Sequence, residues 1–173
     1  MAVLSSYAAC MSPQNHLSSS AVQVMAEEKI IAEVAASRGI TLIGKPGKIA
    51  LTGGVHIEVD AATADGTVVV EAYARQGKLK GAQPKKIAQD ILKLALLKRE
   101  PGREHTEAIV AFASQQAHDS ISGWLRRAAD AFDVQLEVVD IPQDLRDQIL
   151  EAQSLQVMVN LDVVADDIGI DPP

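Results

Sequence analysis

The chain has 173 residues, 47% hydrophobic residues and a net charge of −7, which fits one globular domain and leaves too little chain for two full cores. A disulfide framework is excluded because Cys10 is the one cysteine, and no run of about 18 apolar residues is present to span a membrane. Residues 1–22 contain no Lys or Arg. The basic start of a secretory signal is therefore missing, and we expect a cytoplasmic protein.

The first predicted element is a helix over residues 24–38. It follows an uncharged, Ser- and Ala-rich segment, residues 1–22, which is typical of a flexible leader. Apolar residues recur at helical spacing until Gly39, a typical C-terminal cap. Glu27 falls in the apolar row, so the pattern places one carboxylate on the buried stripe. Its position near the positive end of the helix dipole is the simpler explanation.

Two strands and a tight turn are predicted next. Residues 55–59 and 68–74 alternate between apolar and polar side chains, as strands with one buried face do. Asp65-Gly66 between them is a strong hairpin signal, because a type I′ turn needs positive φ at both central positions and these residues tolerate it. We therefore expect a two-residue hairpin loop.

This loop sets the register of the hairpin. With Asp65 and Gly66 at its centre, Asp60 lies directly opposite Glu71 and Glu58 faces Tyr73. Directly opposed Cβ atoms are about 5 Å apart, and two carboxylates at that distance repel by roughly 3 kcal/mol at an effective dielectric near 20. The pair must be protonated, turned into water or bridged by a cation.

A basic helix is predicted at Lys85–Leu97, with Pro84 at its first position. One row of this helix is apolar. A separate row contains Lys86, Asp90 and Lys93. The helix thus combines a core-facing stripe with a charged one.

The remaining pattern alternates strands and helices. A continuous apolar run at residues 108–113 indicates a strand buried on both faces, and a helix at 117–132, a strand at 135–141 and a helix at 142–153 follow. Strand, helix and strand in this order predict a parallel crossover. The predicted fold class is α/β, with a mixed central sheet flanked by helices. The expected organisation is a flexible leader (1–22), a single domain (23–155) and an acidic tail (156–173).

Charge is unevenly distributed along the chain. Between Arg75 and Arg103 there are nine basic residues and two acidic ones, so this strip carries +7 while the rest carries −14. Such a strip can contact phosphates on one face, although a solvated helix face explains it equally well. If it binds DNA, the expected contacts are Arg75, Lys78, Lys80, Gln83, Lys86 and Lys93.

The sequence IEVDAATADGTVVVEAYARQGKLKGAQPKKIAQDILKLALL resembles the core of the PD-(D/E)xK nuclease superfamily, which has the restriction-endonuclease-like fold. That family places one acid at the end of a strand, a second acid on the neighbouring strand, and a basic or polar helix directly after it. Asp60 and Glu71 match the two acids, and Glu27 is similar to a helix glutamate of many members. The resemblance covers residues 24–141. It implies an endonuclease or exonuclease that hydrolyses DNA phosphodiesters with Mg²⁺-activated water.

The position of the family's motif lysine is occupied by Tyr73. A tyrosine carries no positive charge near neutral pH and cannot replace the lysine electrostatically. Lys86 is the preferred substitute, because some members carry the basic residue on that helix, and Lys78 and Lys80 are loop alternatives. Arg75 lies on the same strand face and is suited to clamp a phosphate.

The resemblance also implies a cofactor and partners. Mg²⁺ or Mn²⁺ is expected between Asp60, Glu71 and the backbone carbonyl of Ala72, since few carboxylates suffice for Mg²⁺. DNA is the expected partner, a homodimer is a candidate assembly, and no membrane association is expected. The alternative is a catalytically degenerate module that keeps the fold and binds nucleic acid or a protein. The predicted catalytic residues are Asp60, Glu71, Lys86, Arg75 and Glu27.

Overall fold

The computed structural model describes the backbone of residues 14–166 and the side chains of residues 20–155. Its helices are α1 (Gln14–Arg38), α2 (Gln83–Lys98), α3 (Gln115–Asp119), α4 (Gly123–Ala131) and α5 (Gln143–Asp166). Its strands are β1 (Ile43–Gly44), β2 (Lys48–Ala50), β3 (His56–Glu58), β4 (Ala61–Ala62), β5 (Val68–Tyr73), β6 (Glu107–Phe112) and β7 (Val134–Val138).

The main sheet has the order β1-β4-β5-β6-β7. Its first three strands pair antiparallel, whereas β5, β6 and β7 are parallel. The predicted mixed central sheet flanked by helices is confirmed, and so is the parallel strand–helix–strand arrangement. Because β5 and β6 run in the same direction, α2 between them begins at the carboxyl end of β5 and returns to the opposite end of the sheet.

Each face of the sheet carries its own apolar core. On one face α2, α3 and α4 cover Val69, Tyr73 and Phe112, and on the other α1 and α5 cover Val70 and Ala72. Since side chains alternate along a strand, Glu71 shares a face with Val69 and Tyr73 and points towards α2. The second acid of the predicted pair is therefore placed inside the protein.

The predicted hairpin register is confirmed. Ala61 pairs with Val70 and Ala62 with Val69, so continuing the ladder by one residue brings Asp60 opposite Glu71.

The turn that produces this register differs from the predicted type I′ turn. Among the described residues, Asp65 is not one of the non-glycine residues with positive φ, whereas Gly66 has φ 70°. The carbonyl of Thr63 accepts a hydrogen bond from N of Gly66, and Oδ1 of Asp65 accepts one from N of Thr67 at 3.1 Å. The side chain of Asp65 thus forms an Asx-turn with the backbone two residues on. The loop has four residues instead of the predicted two, and the register is the same.

The predicted strand at 55–59 does not continue the hairpin. Instead, β3 pairs with β2 in a separate two-stranded sheet, where Glu58 lies opposite Lys48. The predicted pair of Glu58 with Tyr73 is therefore wrong. The hairpin ladder stops at Asp60 because the side chain of this residue takes the place of a further main-chain acceptor.

Several helix limits differ from the prediction. α1 already begins at Gln14, inside the predicted leader, and α5 continues to Asp166, inside the predicted acidic tail; residues 1–13 and 167–173 lie outside the described residues. The single helix predicted at 117–132 is two helices, because Ser122 is extended (φ −139°, ψ 175°) and Gly123 after it has φ 60°. None of the helices in the described part combines the length and apolar character needed to cross a membrane.

Candidate functional site

Asp60 lies where the hairpin ladder ends. Its Oδ2 accepts a hydrogen bond from N of Ala72 at 2.8 Å, and its main-chain oxygen accepts one from N of Lys45 at 2.7 Å. These two bonds fix Asp60 beside the edge of β5. Within the described part of the chain, Oδ1 of Asp60 accepts no hydrogen bond and is available to a ligand.

The carbonyl of Ala72 points to the same edge. On the other edge of β5, the carbonyl oxygen of Thr67 accepts a hydrogen bond from N of Glu107 at 2.8 Å, and that of Tyr73 accepts one from N of Ala113 at 3.1 Å. Strand residues alternate in the edge that they face, so the N–H and C=O of Ala72 both face away from β6, towards Asp60. A carboxylate oxygen and a main-chain oxygen are thereby brought to one place.

Glu71 is buried on the α2 face of β5. The residue is 4% exposed, and Nζ of Lys93 lies 2.6 Å from its Oε1. Lys93 is thus the charge partner of the buried carboxylate. A carboxylate buried beside a second acid favours a bound cation, and Glu71 is therefore a candidate ligand position.

The surroundings of Glu71 favour its protonated form. Burial, together with the nearby charges of Asp60 and Asp90, raises the pKa of Glu71 to about 8, although the ammonium of Lys93 acts in the opposite direction. The predicted conflict between the two acids is therefore present, and Lys93 relieves only part of it.

A row of alternating charges on α2 leads from the surface to Glu71. Nζ of Lys86 lies 3.0 Å from Oδ2 of Asp90, and Nζ of Lys93 lies 3.4 Å from Oδ1 of the same residue. Asp90 is buried and bridges the two lysines, while Lys93 reaches Glu71. Lys93, predicted as a contact for nucleic acid, is thus the cation that pairs with Glu71. Lys86 is linked to Lys93 through the carboxylate of Asp90.

A cleft of about 200 Å³ opens at the carboxyl end of β5, between α1, α5 and the start of α2. Glu27 lies in its wall and accepts a hydrogen bond from Nε2 of Gln23 at 2.8 Å. Burial raises the pKa of Glu27, the Gln23 hydrogen bond opposes this, and the charge of Asp60 adds to it. Glu27 and Asp60 are therefore close enough for their charges to interact.

The cleft collects several predicted residues and leaves others out. Glu27, Ala72, Arg75, Gln83 and Lys86 line it together. The two predicted acids, Asp60 and Glu71, and also Lys93, are not among its lining residues. Lys78 and Lys80 are exposed on the loop before α2, outside the cleft.

Tyr73, which replaces the motif lysine, lines the cleft but belongs to the core. It is buried, burial raises its pKa, and its ring centroid lies 5.7 Å from that of Phe112. It serves packing, and the positive charges of the site come from α2 and Arg75.

Two further residues shape the site without having been predicted. Asp90 holds the two lysines of α2, and its row with Lys86 and Lys93 was the sequence signal for it. Gln153 of α5 accepts a hydrogen bond from N of Gln76 at 2.9 Å and donates one to its carbonyl at 3.3 Å. No sequence pattern marks Gln153, because its role depends on how α5 docks against the end of β5.

The donor set fits a small, hard cation better than a transition metal. Among the described residues no three His, Cys, Asp or Glu side chains group closely enough to hold a metal ion. The available donors are Asp60, Glu71 and the carbonyl of Ala72, and the rest of the coordination would be water, as Mg²⁺ tolerates. The burial of the Glu71 carboxylate near the charge of Asp60 agrees with such an ion.

No protein-family model matches the chain, and neither the curated proteins nor the solved structures compared with it gave a significant match.

Proposed function

We propose that this protein is a metal-dependent nuclease of restriction-endonuclease-like fold that hydrolyses DNA phosphodiesters. The observation that carries the proposal is the buried carboxylate of Glu71 at the register position opposite Asp60, whose Oδ2 accepts a hydrogen bond from N of Ala72. The acid before β4, the acid on the neighbouring β5 and the basic helix α2 directly after it support the resemblance to PD-(D/E)xK nucleases.

Each residue of the site has a distinct role in this proposal. Asp60, Glu71 and the carbonyl of Ala72 would hold Mg²⁺ or Mn²⁺, which supplies water activation and neutralises charge on the scissile phosphate. Arg75 and Lys86 line the cleft and hold the phosphate. The strip from Arg75 to Arg103 tracks the DNA backbone without reading its sequence.

Glu27 is suited to the proton transfer that hydrolysis requires. Its raised pKa lies closer to neutrality than that of an exposed glutamate, which favours a proton acceptor for the attacking water. Its place in the wall of the cleft, near Asp60 and Lys86, supports this role.

One observation favours the second candidate, a catalytically degenerate module that binds nucleic acid or a protein. Lys93 already places a positive charge on Glu71, and Tyr73 leaves the motif position without one. In that reading the ammonium of Lys93 has taken over the place of a metal, and the cleft and basic strip serve binding alone.

Calorimetric titration with Mg²⁺ and Mn²⁺ separates the two candidates. We expect the wild type to bind one of these ions, the double variant Asp60→Ala with Glu71→Ala to bind neither, and a control variant at the exposed Glu58, Glu58→Ala, to bind as the wild type does. The same three proteins are then incubated with DNA and each ion. Absence of binding by the wild type overturns the nuclease proposal, and binding without cleavage favours the degenerate module.

A further inference from the structure

Trp124 is the most exposed large apolar residue of the described side chains. It lies in the first turn of α4 with 75% of its surface accessible, although tryptophan is on average a highly buried residue. It is also the one tryptophan of the chain. The proposed nuclease site does not involve it.

The loop at residues 77–81 connects this side chain with the cleft. N of Leu79 donates a hydrogen bond to Oγ of Ser120 at 3.1 Å, directly before α4. The side chain of Leu79 packs against the apolar core that contains Leu125, the neighbour of Trp124. The loop that follows β5 is therefore bonded to the segment directly before α4.

Positive charges follow the same path. Lys78 and Lys80 are exposed on the loop, and Arg127 is exposed one turn after Trp124, on the same side of α4. None of the three forms an ion pair with any described side chain. Arg75 and Lys86, which flank the loop along the chain, line the cleft. We call Lys78, Lys80, Trp124 and Arg127 the Trp124 surface.

We propose that the Trp124 surface binds a single-stranded segment of nucleic acid, with one base stacked on the indole of Trp124 and the flanking phosphates on Lys78, Lys80 and Arg127. An exposed aromatic ring beside unpaired cations has the two components of single-strand binding, stacking and backbone attraction. A duplex hides the faces of its bases and offers only its phosphates. The inference rests on the proposed function, and it specifies the substrate as DNA with an unpaired stretch next to the phosphate in the cleft.

The fluorescence of Trp124 tests this directly, because the chain has no other tryptophan. The full-length protein is titrated with oligothymidylate and with a blunt duplex of equal length, in a chelator that prevents cleavage. We expect quenching by the single strand that weakens with added salt, and little quenching by the duplex. Equal quenching by the single strand and the duplex overturns the proposal. Absence of quenching by either nucleic acid also overturns it and leaves Trp124 as a contact for a protein.

Variants separate stacking from charge, with binding read independently by the anisotropy of a labelled oligothymidylate. Trp124→Ala is expected to weaken binding about tenfold, and Trp124→Phe to retain most of it. Lys78→Gln with Lys80→Gln is expected to lower the salt slope by about 1.4. The control Lys48→Gln, at an exposed position of β2 outside the basic strip, is expected to change neither. A Trp124→Ala variant that binds as the wild type does overturns the stacking. These binding assays contain no metal ion. Their result therefore does not depend on whether the protein cleaves DNA, and the two proposals can fail separately.

Discussion

Replacement of Glu71 by Gln tests the electrostatic description of the site. Gln has nearly the same shape and cannot ionise, so Glu71→Gln imitates the protonated glutamate. Burial and the charge of Asp60 raise the pKa of Glu71 from 4.5 to about 8, which corresponds to a cost of up to about 5 kcal/mol for ionising this side chain in the folded protein. That cost is borne by the wild type at high pH and is absent in the variant.

The sign of the pH dependence follows from the raised pKa. Because the pKa of Glu71 is higher in the folded protein than the value of 4.5 in the unfolded chain, protonation of Glu71 favours the folded state. This contribution to stability is complete below pH 4.5 and is lost as the pH rises through about 8. The wild type should therefore lose stability from about pH 5 to about pH 9, whereas Glu71→Gln should lose much less and become the more stable protein at the upper end.

Urea unfolding in the presence of a chelator measures this difference across the pH range. Glu58→Gln on the exposed strand β3 is the matched control, and its free energy of unfolding should follow that of the wild type. If Glu71→Gln is instead the less stable protein at about pH 9, Glu71 is an ionised structural partner of Lys93 and the reasoning is refuted.

Three further variants test other parts of the account. Lys93→Met removes the cation that opposes the raised pKa of Glu71, so the loss of stability should begin near the same pH as in the wild type and continue to a higher pH. An unchanged upper limit would show that the contact of Lys93 is unimportant. Asp65→Ala removes a carboxylate whose pKa the hydroxyl of Thr63 and N of Thr67 lower to about 2. The ionised Asp65 stabilises the fold fully above pH 3.8, the pKa of the unfolded chain, and ceases to do so as the pH falls through about 2. The variant should therefore have a lower Tm than the wild type at neutral pH and the same Tm in acid. A difference in Tm that does not change with pH contradicts this role of Asp65. Phe112→Ala in the core between the sheet and α2 should lower the free energy of unfolding by about 3–5 kcal/mol, and a urea midpoint near that of the wild type would contradict the described packing.

The hairpin shows which parts of the fold the sequence determines locally. One register is strongly preferred for β5, because a shift by one residue would move the side chain of Glu71 into the apolar core under α1 and α5. The register was therefore predictable even though the turn was not. The turn depended on the side chain of Asp65, which bonds to Thr67 instead of adopting positive φ. Local bonding of this kind competes with the backbone preference on which the prediction relied.

The residues of the candidate site were predictable where their positions follow from the pattern within one strand or helix. Asp60, Glu71 and the charged row of α2 follow from the strand register and the helical period. The contact of Lys93 with Glu71 did not follow, because it depends on the distance and rotation at which α2 packs on the sheet. The same holds for Gln153, whose role is set by the docking of a helix far along the chain.

Diffraction from crystals soaked in Mn²⁺ tests the central claim most directly. The account predicts anomalous density between the carboxylates of Asp60 and Glu71 and the carbonyl of Ala72, with the ammonium of Lys93 moved away from Glu71. No density there, with Lys93 still in contact with Glu71, would contradict it.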